Sequence, residues 1–140
     1  MHVIIAGCGR VGSGMAVDLV HEGHDVVVID EDPRTFALLG DGFPGERVVG
    51  HAIDWSVLRG AGIEGTDALA AATDGDNTNI VCALIAVRAF EVPCAVARVY
   101  DPRRAEVFAR MGIRTVCPTA ETTAVMLEAV LACPVSTGEV

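Results

Sequence analysis

Apolar positions in this chain fall into two kinds of run, and the two kinds alternate. Short continuous runs, such as Val3-Ile4-Ile5-Ala6, Val26-Val27-Val28-Ile29 and Ala95-Val96-Ala97, have the length and composition of buried strands. Between them lie stretches with apolar residues at helical spacing. Val11, Met15, Leu19 and Val20 form one such face, and Ile80, Leu84 and Val87 form another. The pattern predicts strands at His2–Ala6, Asp25–Asp30, Arg47–Val49, Asp67–Ala72, Cys94–Val99 and Thr115–Val116. It predicts helices at Val11–Glu22, Pro33–Leu39, Trp55–Arg59, Asn77–Phe90, Arg103–Met111 and Ala120–Ala132. Punctuation supports these bounds: Asp32-Pro33, Asp54 and Asp101-Pro102 are caps at helix starts, and Gly23, Gly60 to Gly62 and Gly112 close helices. Trp55 is expected to pack. Strand and helix alternate throughout. That order predicts an α/β, doubly wound, Rossmann-like three-layer fold. Its six-stranded parallel sheet would have the order 3-2-1-4-5-6, with helices on both faces. One domain over residues 1–134 is expected, followed by a tail at 135–140.

The first strand runs into Gly7-Cys8-Gly9-Arg10-Val11-Gly12, and the second ends on Asp30. This is the order strand, glycine turn, helix, strand, acid that binds a dinucleotide. Gly7 would let the chain turn off the strand, Gly9 would let a pyrophosphate approach the backbone, and Gly12 would let the helix pack closely. Asp30 would accept hydrogen bonds from a ribose diol and repel a 2′-phosphate. In such a sheet the ligand lies beyond the carboxyl ends of the strands, at the switch point between strands one and four. Glu31 and Asp32 follow Asp30 there, His51 and Ala52 follow strand three, and Thr73 and Asp74 follow strand four. Arg10 could reach a terminal phosphate. Arg98, in an otherwise apolar strand, needs a partner, either a phosphate or Asp74 or Asp101. His51 would face an adenine or line the rim. The candidate cofactor-binding set is Gly7, Cys8, Gly9, Arg10, Val11, Gly12, Asp30, Glu31, His51, Ala52, Thr73, Asp74 and Arg98.

Charge narrows the partners. The formal net charge is −9, a poor match for nucleic acid or an anionic membrane surface, so phosphates would have to be held by local features. The most apolar block, Ile80–Val87, is far short of the ~20 residues of a membrane span. The chain enters its first strand at once, so no signal peptide is expected. The five cysteines (Cys8, Cys82, Cys94, Cys117 and Cys133) form no C-x-x-C pair, which points away from metal and disulfide use and toward a reducing compartment. Cys8, in the glycine turn, is the one expected at the surface. No nucleophile–base constellation occurs, and no catalytic or metal-ligating residue is assigned.

Six motifs together resemble the N-terminal nucleotide-binding (TrkA-N) domain of the RCK or KTN family, regulators of potassium conductance and transport, in particular those of Trk-type uptake systems. They are Gly7 to Gly12, Val28-Ile29-Asp30, Val49-Gly50-His51-Ala52, Val57 to Ile63, Ala71-Ala72-Thr73-Asp74 with Asn77-Thr78-Asn79, and Ala97-Arg98-Val99. The resemblance implies a non-enzymatic regulatory subunit that binds NAD(H), or alternatively ATP/ADP. It would gate a Trk/Ktr-type membrane potassium transporter from the cytoplasmic side. It further implies that Gly7 to Val11 cradle phosphates, Asp30 the ribose, Thr73 and Asp74 the middle of the dinucleotide, and that Arg98 meets a phosphate. A homodimer, built into rings in larger assemblies, would use the last helix, with Val125, Leu127, Val130 and Leu131. Two other readings stay open from the residues: the cofactor half of an NAD-dependent oxidoreductase, and a non-binding dimerisation module.

Overall fold

The structure is a computed structural model that describes residues 1–136 and 138. Of the expected tail, residues 137, 139 and 140 lie outside the described residues. Six strands form one parallel sheet: β1 (His2–Ala6), β2 (Asp25–Asp30), β3 (Glu46–Val49), β4 (Ala68–Ala71), β5 (Cys94–Arg98) and β6 (Arg114–Val116). Their order is β3-β2-β1-β4-β5-β6, as the alternation of elements predicts. Five α-helices connect or follow them: α1 (Arg10–His21), α2 (Trp55–Gly60), α3 (Asp76–Ala89), α4 (Pro102–Ala109) and α5 (Pro118–Leu131). The segment Pro33–Leu39, expected as a short helix, is a 3-10 helix. Its seven residues close with Gly40 at φ +82.

The pleat divides the core into two layers. Ile4, Ala6, Val27, Ile29, Leu69 and Ala71 point to one face and meet Leu58, Ile63, Ile80 and Ala83. Val3, Ile5, Val26 and Val28 point to the other and meet Ala16, Phe36, Leu39 and Phe43. Helix α1 keeps Met15, Leu19 and Val20 of the expected face against the core and corrects it at Val11. Its buried residues are Gly12, Ser13 and Ala16, while Met15, Leu19 and Val20 are half-buried and Val11 is 47% exposed. The cause is the closeness of the glycine turn. At that distance small residues sit directly between helix and sheet, and Met15, Leu19 and Val20 pack on the same core with part of each side chain exposed. Trp55 packs, but at the surface, edge-on to Phe90 with ring centroids 5.2 Å apart.

Helix α5 stands apart. None of its residues is buried, and Val125, Met126, Leu127, Val130 and Leu131 are all exposed. Meanwhile β5 buries only one side, Ala95 and Ala97, and leaves Cys94, Val96 and Arg98 half-covered. Packing of the last helix on its own sheet, one of the two roles open to it from the sequence, does not occur.

Candidate nucleotide-binding cleft

The sheet order puts a topological switch between β1 and β4. There the chain leaves β1 toward one face of the sheet and β4 toward the other, so the strand ends part and a crevice opens. A cavity of about 380 Å³ lies at this place. Gly7, Gly9, Asp30, Glu31, Ala52, Thr73 and Asp74 line it, all from the predicted set.

The glycine turn is fixed by close contacts. Gly7 has φ +100, and a Cβ on it would sit 2.7 Å from the Ala72 carbonyl oxygen. A Cβ on Gly12 would sit 1.9 Å from the Gly7 carbonyl oxygen, so any side chain there would push α1 off the turn. Gly9 differs: a Cβ on it would meet nothing within 4 Å. Since Gly9 lines the cavity, a side chain there would fill the space in front of α1 rather than strike protein.

Helix starts around the sheet are of two kinds. The 3-10 helix, α2, α4 and α5 are capped by side chains of Asp32, Asp54, Asp101 and Cys117, each of which accepts a backbone N–H of the first turn. Helices α1 and α3 begin instead at Gly9 and Gly75, with no side-chain cap. Both of these glycines line the cleft. First-turn N–H groups have no carbonyl within their own helix, so α1 and α3 present free donors and positive dipole ends on the two sides of one cavity. That arrangement suits an anion of pyrophosphate kind.

Asp30 stands beside the glycine turn and lines the same cavity. Its Oδ2 accepts the Cys8 N–H at 2.8 Å and its Oδ1 accepts the Asp32 N–H at 2.8 Å. The carboxylate is thereby held rigid, and each oxygen keeps a lone pair for a diol. The nearby Arg34 is engaged by Asp32, with its NH2 2.9 Å from Oδ2, which lowers the Asp32 pKa by hydrogen bonding. Asp30, Glu31 and Asp32 therefore surround this end with negative charge, a poor setting for a 2′-phosphate. His51 sits at the rim, exposed, with its Nδ1 against the Glu31 carboxylate.

Other predicted residues take other places. Cys8 is fully buried beneath the turn, not at the surface; its Sγ donates to the Thr35 carbonyl, and burial raises its thiol pKa. The turn folds inward at this residue because its backbone N–H must reach Asp30. Val11 is exposed on α1, and Gly12 is buried under it. Arg10 is exposed at the start of α1. Arg98 forms no ion pair with Asp74 or Asp101 among the described residues. Its NH2 donates to the carbonyls of Ala72 (3.2 Å) and Thr73 (2.9 Å), and its guanidinium lies 5.1 Å from the centre of the Tyr100 ring.

Sequence reasoning left out Thr35, Gly50, Gly75 and Thr78, which also line the cleft, and Asn79 beneath it. Asn77-Thr78-Asn79 was a visible motif. Its polar residues at the start of a helix, next to the expected switch point, were the available signal.

Comparison with known proteins bears on the family and the fold. The family model described as the TrkA-N domain matches residues 3–119. The protein named Trk system potassium uptake protein TrkA from Streptomyces coelicolor is 50% identical over 131 residues, which cover 94% of this chain and 59% of the relative. The chain thus spans about three-fifths of that relative's length. The structure described as the Kef CTD of Shewanella denitrificans in AMP-bound form aligns with a TM-score of 0.81 and 24% identity, covering 97% of this chain and 84% of that one. The GsuK channel bound to NAD aligns with a TM-score of 0.69 and 21% identity, covering 84% of this chain and 21% of that one. At these identities the two structures establish the fold.

Proposed function

The chain belongs to the TrkA-N domain family, and from that membership and the cleft we propose that it is a nucleotide-sensing regulatory domain of a potassium transport system. The observation that carries the reading is that an uncapped glycine turn and a rigidly held carboxylate, Asp30, line one cavity side by side. Gly7, Gly9 and the first turn of α1 hold the phosphates, Asp30 holds the adenosine ribose, and Thr73 with the start of α3 meets the remainder of the ligand. NAD(H) is the first ligand by this reading, since a dinucleotide spans both helix starts; ADP and ATP are the second. The AMP and NAD present in the two structural relatives support both classes.

The partner would be a Trk/Ktr-type potassium transporter at the cytoplasmic face of the membrane, as the name of the Streptomyces relative supports. Among the described residues no helix is long and apolar enough to cross a membrane. A homodimer fits α5, whose exposed apolar residues lack cover while the outer sheet is half open. Nucleotide state would then bias one arrangement of the assembly over another by differential affinity.

Thermal unfolding with NAD⁺, NADH, NADPH, ADP and ATP tests this. A ligand at 100 times its Kd stabilises by ~2.7 kcal/mol. The expected result is a rise in Tm with NAD(H) or ADP/ATP, none with NADPH, and loss of the rise in Asp30→Ala. No rise with any of them would refute nucleotide sensing by this chain.

A further inference from the structure

Asn79 is the one fully buried polar side chain that belongs to the cleft's frame, at 0% exposure. A buried amide is costly unless its donors and acceptors are met. Here all are met: Oδ1 accepts the Thr73 N–H (2.8 Å) and hydroxyl (2.7 Å), and Nδ2 donates to the carbonyls of Thr73 (3.0 Å) and Arg98 (2.9 Å). Arg98 grips the same turn from the other side through the Ala72 and Thr73 carbonyls. Thr73 thus has both backbone polar groups pinned. It lines the cavity, so its position decides what the cleft can accept.

The same frame reaches α5. Asp76, in the first turn of α3, accepts the N–H groups of Tyr100 (2.9 Å) and Asp101 (3.2 Å). The Tyr100 ring lies under the Arg98 guanidinium, and its carbonyl accepts the Cys117 thiol at 3.5 Å. Cys117 Sγ in turn accepts the Ala120 N–H and caps α5. Because no residue of α5 is buried, its direction is set at this first turn.

We propose that Asn79 and Arg98 are positioning residues that shape the cleft through Thr73, and that with Tyr100 and Cys117 they tie the cleft to the start of α5. This rests on the nucleotide reading above. A ligand that shifts the Thr73 turn must move the Arg98–Tyr100 pair, and with it the thiol that caps α5.

The test follows the iodoacetamide alkylation rate of Cys117 in the full chain by peptide mass spectrometry, with exposed Cys133 at the far end of α5 as reference. In the absence of ligand, Asn79→Ala and Tyr100→Leu each raise the Cys117-to-Cys133 ratio about threefold, the factor expected when displacement of the residue-100 backbone carbonyl breaks the one weak thiol hydrogen bond it accepts. Saturating NAD⁺ or ADP changes the ratio in the wild-type chain, and the variants abolish that change. Tyr100 is 43% exposed, so its variant carries the test if Asn79→Ala fails to fold. Wild-type ratios in the folded variants would overturn the proposal. A ratio unmoved by a nucleotide that raises Tm would overturn it too, and would leave the nucleotide reading intact. Absence of any Tm rise would refute the nucleotide reading itself, and the ligand-free ratios would then decide whether the frame holds Cys117.

Discussion

Helices α1 and α4 both follow a strand of one sheet, yet they begin in opposite ways. Asp101 caps α4 by accepting the Arg103 N–H at 2.9 Å, and Pro102 removes another donor. Helix α1 begins at Gly9, with neither cap nor proline, and its free N–H groups open on the cavity. Helix α3 shares this bareness, and it too meets the cavity. Among the α-helices, a start away from the switch point is closed by a side chain, and the two starts that face it are left open. A cap contributes about 1 kcal/mol, so leaving two helices uncapped costs stability that a ligand can restore.

The contrast between the two helix starts breaks most severely at Gly12. Gly12→Ala drives a methyl into the Gly7 carbonyl and should destabilise the chain by about 3 kcal/mol or prevent folding, as measured by urea unfolding. Asp30→Asn should come next. It weakens the hold on the Cys8 and Asp32 amides and lowers nucleotide affinity by about 2 kcal/mol, the scale of a charged hydrogen bond; calorimetric titration measures it. Gly9→Asp sharpens the contrast, because it gives α1 the cap that α4 has. The ligand-free Tm should hold or rise by the equivalent of a few tenths of a kcal/mol, while the rise with nucleotide disappears. Asp101→Ala is the converse: a loss of about 1 kcal/mol with nucleotide affinity unchanged.

Acid gives the smallest effect. Hydrogen bonds from Ser56 hold the Asp54 pKa below its ordinary value. A depressed carboxylate stabilises the folded state above the unfolded pKa, and that contribution is lost as pH falls through the folded value. The Ser56 amide resonance should therefore shift with a midpoint below the ordinary aspartate range, and the shift should vanish in Asp54→Asn.

The fold was legible because its elements are punctuated locally. Asp32, Asp54, Asp101, Gly23, Gly62 and Gly112 each act within a few residues of their own position, so their roles could be inferred without tertiary information. The face of α1 was legible in part, since helical spacing finds Met15, Leu19 and Val20 but only the closeness of the turn selects Gly12, Ser13 and Ala16. Asp30 was placed at the cleft by spacing from the glycines. The surroundings of Arg98 depended on Ala72, Thr73 and Tyr100, brought together across two strands, and an apolar strand with one cation says only that a partner is required. Cys8 was misjudged because burial of a turn residue depends on where its N–H finds an acceptor, here a side chain from the next strand.

The register of the sheet bears on how the molecule assembles itself. Val3 pairs with Val26 on one side and with Ala68 on the other, and the seam between β1 and β4 joins the two neighbouring strands that lie farthest apart in sequence. Local pairings form early, and contacts between remote segments carry the larger loop-closure penalty and form late. The crevice occupies that seam, and its two walls belong to halves that emerge separately from the ribosome. A ligand lodged there acts as a clasp across the slowest join, so it should retard unfolding by holding shut the boundary at which the two halves would part.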